Sequence, residues 1–142
     1  MPGLKHDANF QNRKNENART GIAYLSLDYG IDVMGTKGAS VHVRSICSAL
    51  SAVGADVEIH CSRMGKEPEF PGSDRIRVTC HPLPEDFVKL RRSLRDTYER
   101  RLKIPPEVRQ CAINRDALAY LKPAWEANRP RVVVERLSLM GI

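Results

Sequence analysis

"IAYLSLDYGIDVMGTKGASVHVRSICSALSAVGADVEIHC", residues Ile22–Cys61, carries the decision about fold. Its opening run, Ile22–Leu27, is mostly apolar and stops at Asp28-Tyr29-Gly30. That is the signature of a strand buried on both faces. Beyond a loop, Val43, Ile46, Cys47 and Leu50 fall at i, i+3, i+4 and i+7, the core stripe of a helix. Ser40 stands where an N-cap belongs, and Gly54 where the chain leaves a helix in the C′ position. Val57, Ile59 and Cys61 then alternate with Asp56, Glu58 and His60, which predicts a second strand. Strand, helix and strand within about forty residues form a βαβ unit, whose crossover is expected to be right-handed.

Outward from this unit the pattern continues. Arg63–Asp74, with two prolines and two glycines, reads as a loop. "RIRVTC", Arg75–Cys80, predicts a third strand, more polar and so nearer a sheet edge. Glu85–Lys103 has helical period and is heavily basic. Phe87, Leu90, Leu94 and Tyr98 make its apolar stripe, and Lys89, Arg91, Arg92, Arg95, Arg100, Arg101 and Lys103 cover most of the rest. After Pro105-Pro106 a further helix is expected from Glu107 to Leu121, with Pro123 ending or restarting it. Val132–Val134 predicts a last, fully apolar strand.

The most apolar strands, first and last, belong at the centre of a sheet, and the amphipathic second and third belong outside them. The expected fold is therefore α/β, a Rossmann-like parallel sheet of order 3-2-1-4, half of a doubly wound sheet. Order reverses between strands 1 and 4, and ligands bind beyond the carboxyl ends of strands at such a switch point. The segments meeting there are Asp28–Ser40 and Glu135–Gly141.

The first of these segments contains a loop close to two phosphate-binding patterns. Gly30 and Gly35 have Walker A spacing, but Thr36-Lys37 follow in inverted order; of a dinucleotide fingerprint only Gly35-x-x-Gly38 is present. Physically, Gly35 and Gly38 permit close backbone approach. The amides of the following helix, with its positive dipole end, point into the crevice, and Lys37 adds a charge. Residue types alone leave two readings level: a diphosphate cradle, or a tight strand-to-helix turn.

At 142 residues the chain is long enough for one domain with a real core, and 42% hydrophobic with 28% charged residues is ordinary for a globular protein. A net charge of +6 favours anionic partners without choosing among them. The four cysteines, Cys47, Cys61, Cys80 and Cys111, form no C-x-x-C pair and read as reduced thiols. His60-Cys61 and Cys80-His81 invite a metal, but strand neighbours point to opposite faces, so each pair offers one ligand to a given site; no metal is expected. Residues 1–20 are polar, with no apolar leader segment, and read as a solvated tail on a cytoplasmic protein.

"GTKGASVHVRSICSALSAVGADVEI" resembles the first loop, helix and strand of the retaining, GT-B-fold glycosyltransferases of the large family-4 type, where a loop of the form GGTKGASVHVREL enters the first helix. Met34 stands here at the first glycine of that form, and Ala55-Asp56-Val57 replaces the family's Gly-His-Glu-Val-like turn. "VVVERLSLMGI", Val132–Ile142, is similar to the family's later segment Y-E-R-x-S-L-x-G. The resemblance implies that residues 21–142 are part of an N-terminal, acceptor-side domain. Gly35, Thr36, Lys37, Gly38, Ala39 and Ser40 would face the diphosphate of a nucleotide-sugar substrate, and Glu135, Arg136 and His42 would line the cleft. For Arg136 the alternative is a salt bridge closing the crevice, and for His42 simple solvation. No catalytic residue and no cofactor are implied for this stretch. The family's donor-binding domain is not matched, so the expectation is a fragment, inactive alone, whose nucleotide-sugar and acceptor are shared with a missing C-terminal domain or a second chain.

Other readings compete. The 85–103 helix, with its apolar stripe inward, suits peripheral contact with an anionic membrane at its inner face, or is a solvated surface. A non-catalytic, basic module for such a membrane or for a phosphorylated ligand is the alternative function. Nucleic acid is disfavoured by three Phe and one Trp with no aromatic–basic interleaving. A nicotinamide cofactor is disfavoured because Cys61-Ser62, not an acid, ends strand 2.

Overall fold

The computed structural model describes residues 20–65, 74–97, 104–127 and 129–136. The expected tail therefore lies outside the described residues, as do the middle of the 63–74 loop, the 98–103 end of the basic helix, and Leu137–Ile142.

Four strands, β1 (Gly21–Ser26), β2 (Asp56–Cys61), β3 (Ile76–Cys80) and β4 (Val132–Glu135), form one sheet of order β3-β2-β1-β4. Every pairing is parallel, with Ile22 opposite Val57 and Val132, and Ile59 opposite Val78. The fold is thus the α/β, Rossmann-like arrangement that the sequence predicts.

Helix α1 (Gly38–Ala52) covers one face. Val43 and Cys47 are buried among Ile22, Tyr24, Val57, Ile59 and Cys61, with Ile46 and Leu50 packed around them. Burying a Val or Ile side chain contributes about 1.5–3 kcal/mol, so this stripe is what fixes α1 on the sheet. Gly54 leaves the helix at φ +95°, a conformation that a side chain would strain, and its N–H bonds Ser51 O at 2.9 Å.

Helix α2 (Glu85–Thr97) follows β3, and α3 (Pro106–Ala127) precedes β4. The sequence's apolar stripe on α2 is only partly used: Phe87 is buried and Leu94 half-buried, but Leu90 is 52% exposed. On α3, Gln110, Ile113, Ala117 and Leu121 are buried. Tyr120 and Trp125 from this helix lie against the His60 ring, so α3 covers the second sheet face. The polar face of β2 expected from the alternation is therefore covered at its end, where His60 is only 1% exposed. A correction concerns Pro123, which neither ends nor restarts the helix but lies inside it. The turn beyond it persists because Trp125 packs against the sheet. At the far edge, β4 has only β1 as a neighbour among the described residues, and Val132 and Val133 remain 44% and 47% exposed.

Candidate functional site

The carboxyl ends of β1 and β4 lie side by side. Leu25 is in register with Glu135, and the Arg136 N–H donates to Leu25 O at 3.0 Å. One step further along that register sets Ser26 beside Arg136. Here the chain leaves β1 for α1 on one face, while β4 arrives from α3 on the other. This is the switch point of the sheet.

The loop between β1 and α1 is built mainly by backbone bonds. Asp28 opens it, accepting the Gly30 N–H on its carboxylate at 2.7 Å and the Ile31 N–H on its carbonyl at 3.1 Å. Val33 and Met34 donate to Arg63 O and Met64 O at 3.1 and 2.8 Å, tying the loop to the segment that leaves β2. Gly35 N–H closes a turn onto Asp32 O at 2.8 Å. From α1, Arg44 Nη1 reaches back to Val33 O and Gly35 O at 2.8 and 2.6 Å. The two glycines are not equivalent. A Cβ on Gly35 would stand 3.0 Å from both Asp32 O and Ser40 Oγ, whereas one on Gly38 would meet nothing within 4 Å. A side chain at Gly35 would be tightly crowded by the turn and Ser40; Gly38 leaves open space in front of the helix.

Helix α1 begins at Gly38, with Lys37 in extended conformation as its N-cap, and no side chain caps it. Ser40 is therefore not the N-cap expected from the sequence. It sits within the first turn, 2% exposed, packed against the Gly35 turn. The first amides of an uncapped helix have no internal acceptor and carry the positive end of the dipole. The first turn contains no acidic residue to neutralise it. Thr36, Lys37 and Gly38 are exposed, Ala39 is half-buried, and His42 is exposed on the helix beyond.

Among the described residues, two polar groups at the switch point lack partners. Ser26 Oγ and Arg136 Nη1 are both buried with no hydrogen bond, although Ser26 is only 1% exposed. An unpaired buried donor costs about 1–3 kcal/mol. Alternation along the strands puts Ser26 and Arg136 on the face of Tyr24, which is the face covered by α1. Burial pushes the Tyr24 phenol up, Cys47 adds to this, and the Arg136 guanidinium pulls it back. Glu135 falls on the opposite face and is exposed. The Glu-Arg pair read as lining one cleft thus divides between the two faces. No carboxylate pairs with Arg136 among the described residues, so the salt bridge weighed as its alternative is not formed there.

Sequence reasoning passed over Gln110. Its amide donates to Leu27 O at 2.8 Å and to Asn114 Oδ1 at 2.9 Å, and its oxygen accepts the Tyr29 N–H at 3.2 Å. It pins the end of β1 to α3. The available signal was a polar residue at a core position of the stripe Gln110, Ile113, Ala117. Tyr29 itself lies under two guanidiniums, Arg63 at 5.2 Å and Arg109 at 4.8 Å from the ring centre. Only folding brings those three together.

The two His–Cys dipeptides separate by face, as strand alternation requires. His60 Nδ1 and His81 Nε2 meet at 3.2 Å on the α3 side. Burial pushes both imidazoles below the ordinary range, against the pull of Glu58; His81 lowers His60 further. Cys61 and Cys80 are in register on the other face. Among the described residues no group of three or more His, Cys, Asp and Glu side chains is placed to hold a metal ion. No helix among them is long and apolar enough to cross a membrane.

No family model, no curated protein and no solved structure matches the chain. Chemically, the arrangement suits an anion: uncapped amides of a long helix, Lys37 beside them, open space at Gly38, and two unsatisfied hydrogen-bonding groups on the same face of the sheet.

Proposed function

We propose that this chain is the acceptor-side, Rossmann-like half of a retaining glycosyltransferase of the GT-B kind, acting in the cytoplasm. In this reading Gly35–Ser40 is set against the diphosphate of a nucleotide-sugar donor. The observation that carries it is the uncapped start of α1, with Gly38 open in front of it and Ser26 and Arg136 unsatisfied on the sheet face that α1 covers.

The division of labour follows from what these residues can do. Backbone amides and Lys37 neutralise the diphosphate, and in doing so stabilise the charge that develops as the leaving nucleotide departs. Arg136 donates to a phosphate or sugar oxygen through charge-assisted hydrogen bonds. The nucleotide base and donor sugar rest on a second domain or chain, and transfer requires both halves to align donor with acceptor.

Two measurements test this. In an amide NMR titration with uridine- and guanosine-diphosphate sugars, signals of Gly35–Ser40 should move. Gly38→Ala should weaken that response several-fold while leaving thermal stability unchanged or slightly raised, because alanine is the better helix residue by roughly 0.5–1 kcal/mol. Loop signals that stay still with every diphosphate sugar would remove the proposal. The purified chain should give no transfer of radiolabelled sugar by itself; clear turnover would overturn the assignment of donor binding to a second half.

A further inference from the structure

A second basic feature lies beside the loop but does not use Gly35–Ser40. A cleft of about 480 Å³ opens beyond the carboxyl ends of the strands, lined by Tyr29, Ser62 and Arg63, by Pro82 and Leu83, and by one side of α2. From α2 it receives Val88, Arg91, Arg92 and Arg95. This volume is in the range of small-molecule sites.

The charges in it are poorly balanced. Arg91 and Arg95 are one helical turn apart, and like charges at that spacing destabilise a helix. Arg63 pairs with Asp32 at 2.8 Å and Arg95 with its neighbour Asp96 at 3.2 Å, but these pairs are largely exposed and so weakly neutralising. Arg91 and Arg92 have no carboxylate partner among the described residues. At the Tyr29 ring the guanidinium of Arg109 adds further positive charge, and its Nε is buried without a hydrogen-bond acceptor among the described residues. Among the described residues, Asp32 is the single acid from outside α2 that is salt-bridged to a cleft arginine.

The geometry points to a phosphoryl-binding site: we infer that this cleft binds a phosphomonoester, with Arg63, Arg91 and Arg92 on the phosphate and Tyr29 and Val88 against the apolar part of the ligand. Guanidiniums are the groups suited to this, since their planar forks donate pairwise to phosphate oxygens. The ester comes either from a soluble phosphorylated metabolite or from a phospholipid headgroup with a terminal phosphate. The inference does not depend on the glycosyl-transfer reading, whose residues and probes differ.

The test uses the full chain and inorganic phosphate as the probe, followed by amide NMR at low ionic strength. Saturable shifts are expected at Tyr29, Ser62 and residues 88–95. The double variant Arg91→Gln, Arg92→Gln should weaken this binding about tenfold or more. Lys122→Gln with Arg131→Gln, which removes equal charge elsewhere, should leave it unchanged. All four side chains are exposed, and retained thermal unfolding verifies the fold. In a second arm, flotation with phosphatidylcholine vesicles containing phosphatidic acid identifies the source. Flotation that inorganic phosphate displaces supports the site with a lipid ligand, and phosphate binding without flotation supports it with a soluble one. Phosphate shifts confined to Gly35–Ser40, no saturable binding, or flotation indifferent to both phosphate and the double variant would each overturn the inference.

Discussion

At the scale of the residue, similar side chains differ according to what surrounds them. Gly35 and Gly38 look alike in sequence, yet one is hemmed in by Asp32 and Ser40 and the other faces open space. The cysteines divide in the same way. Burial pushes the Cys47 and Cys61 thiols up to about 12, and Cys80 beside Cys61 reinforces the latter. Cys80 and Cys111 are exposed. Since the thiolate is the nucleophile, the buried pair should be inert toward a maleimide in the native chain near neutral pH. Mass spectrometry should show fast labelling at Cys80 and Cys111 only, with Cys47 and Cys61 reacting after denaturation. Rapid native labelling of Cys47 would contradict its burial under α1.

At the scale of the element, α3 holds a proline that its sequence does not tolerate well. Pro123 removes one helical hydrogen bond and crowds the preceding turn, at a cost of about 3 kcal/mol in a helix interior. The helix continues because its last turns carry Leu121 and Trp125, which are packed against the sheet and His60. Pro123→Ala should therefore stabilise the chain by about 1–2 kcal/mol, once the greater freedom it gives the unfolded state is subtracted. The check is chemical denaturation monitored by far-ultraviolet circular dichroism. A loss of stability would mean that Pro123 is needed to seat Trp125.

At the scale of the whole molecule, the sheet is covered by α1 on one face and by α3 on the other, and the second contact encloses two imidazoles. His60 and His81 are held neutral by burial, with pKa values below the ordinary 6.5. The unfolded chain therefore takes up protons at higher pH than the folded one. The stability from this packing is fully present above 6.5 and is lost as pH falls below it toward the folded values. The melting temperature should decline on acidification from about pH 7 to about pH 5, with the imidazole C–H signals of both residues titrating below the ordinary histidine range. Ordinary titration of either ring would refute the buried pair.

Much of this fold is legible in order of residues. The order 3-2-1-4 agrees with the structure, although β4, expected at the centre, stands at an edge among the described residues with Val132 and Val133 exposed. The alternation of Val57, Ile59 and Cys61, the stripe Val43, Ile46, Cys47 and Leu50, and the apolar run of β1 set element types. They do so because burial demands a period of two or of 3.6 along the chain. Helix boundaries were less legible. Ser40 has the right chemistry for an N-cap, but the extended Lys37 precedes the first turn, and Pro123 yields to the packing of Trp125. The sequence also placed the Gly35–Ser40 loop at the switch point, since topology follows from the order of elements. Its partners belong to the tertiary structure alone. Gln110 at the end of β1, the two guanidiniums at Tyr29, the meeting of His60 with His81, and the parting of Glu135 from Arg136 join or separate residues by the pairing of strands and the packing of helices. Periodicity along a chain encodes which face of an element is buried. It does not encode which distant side chain will lie across from it, and that is what decides whether a loop, a charge or a hydroxyl is satisfied or left for a ligand.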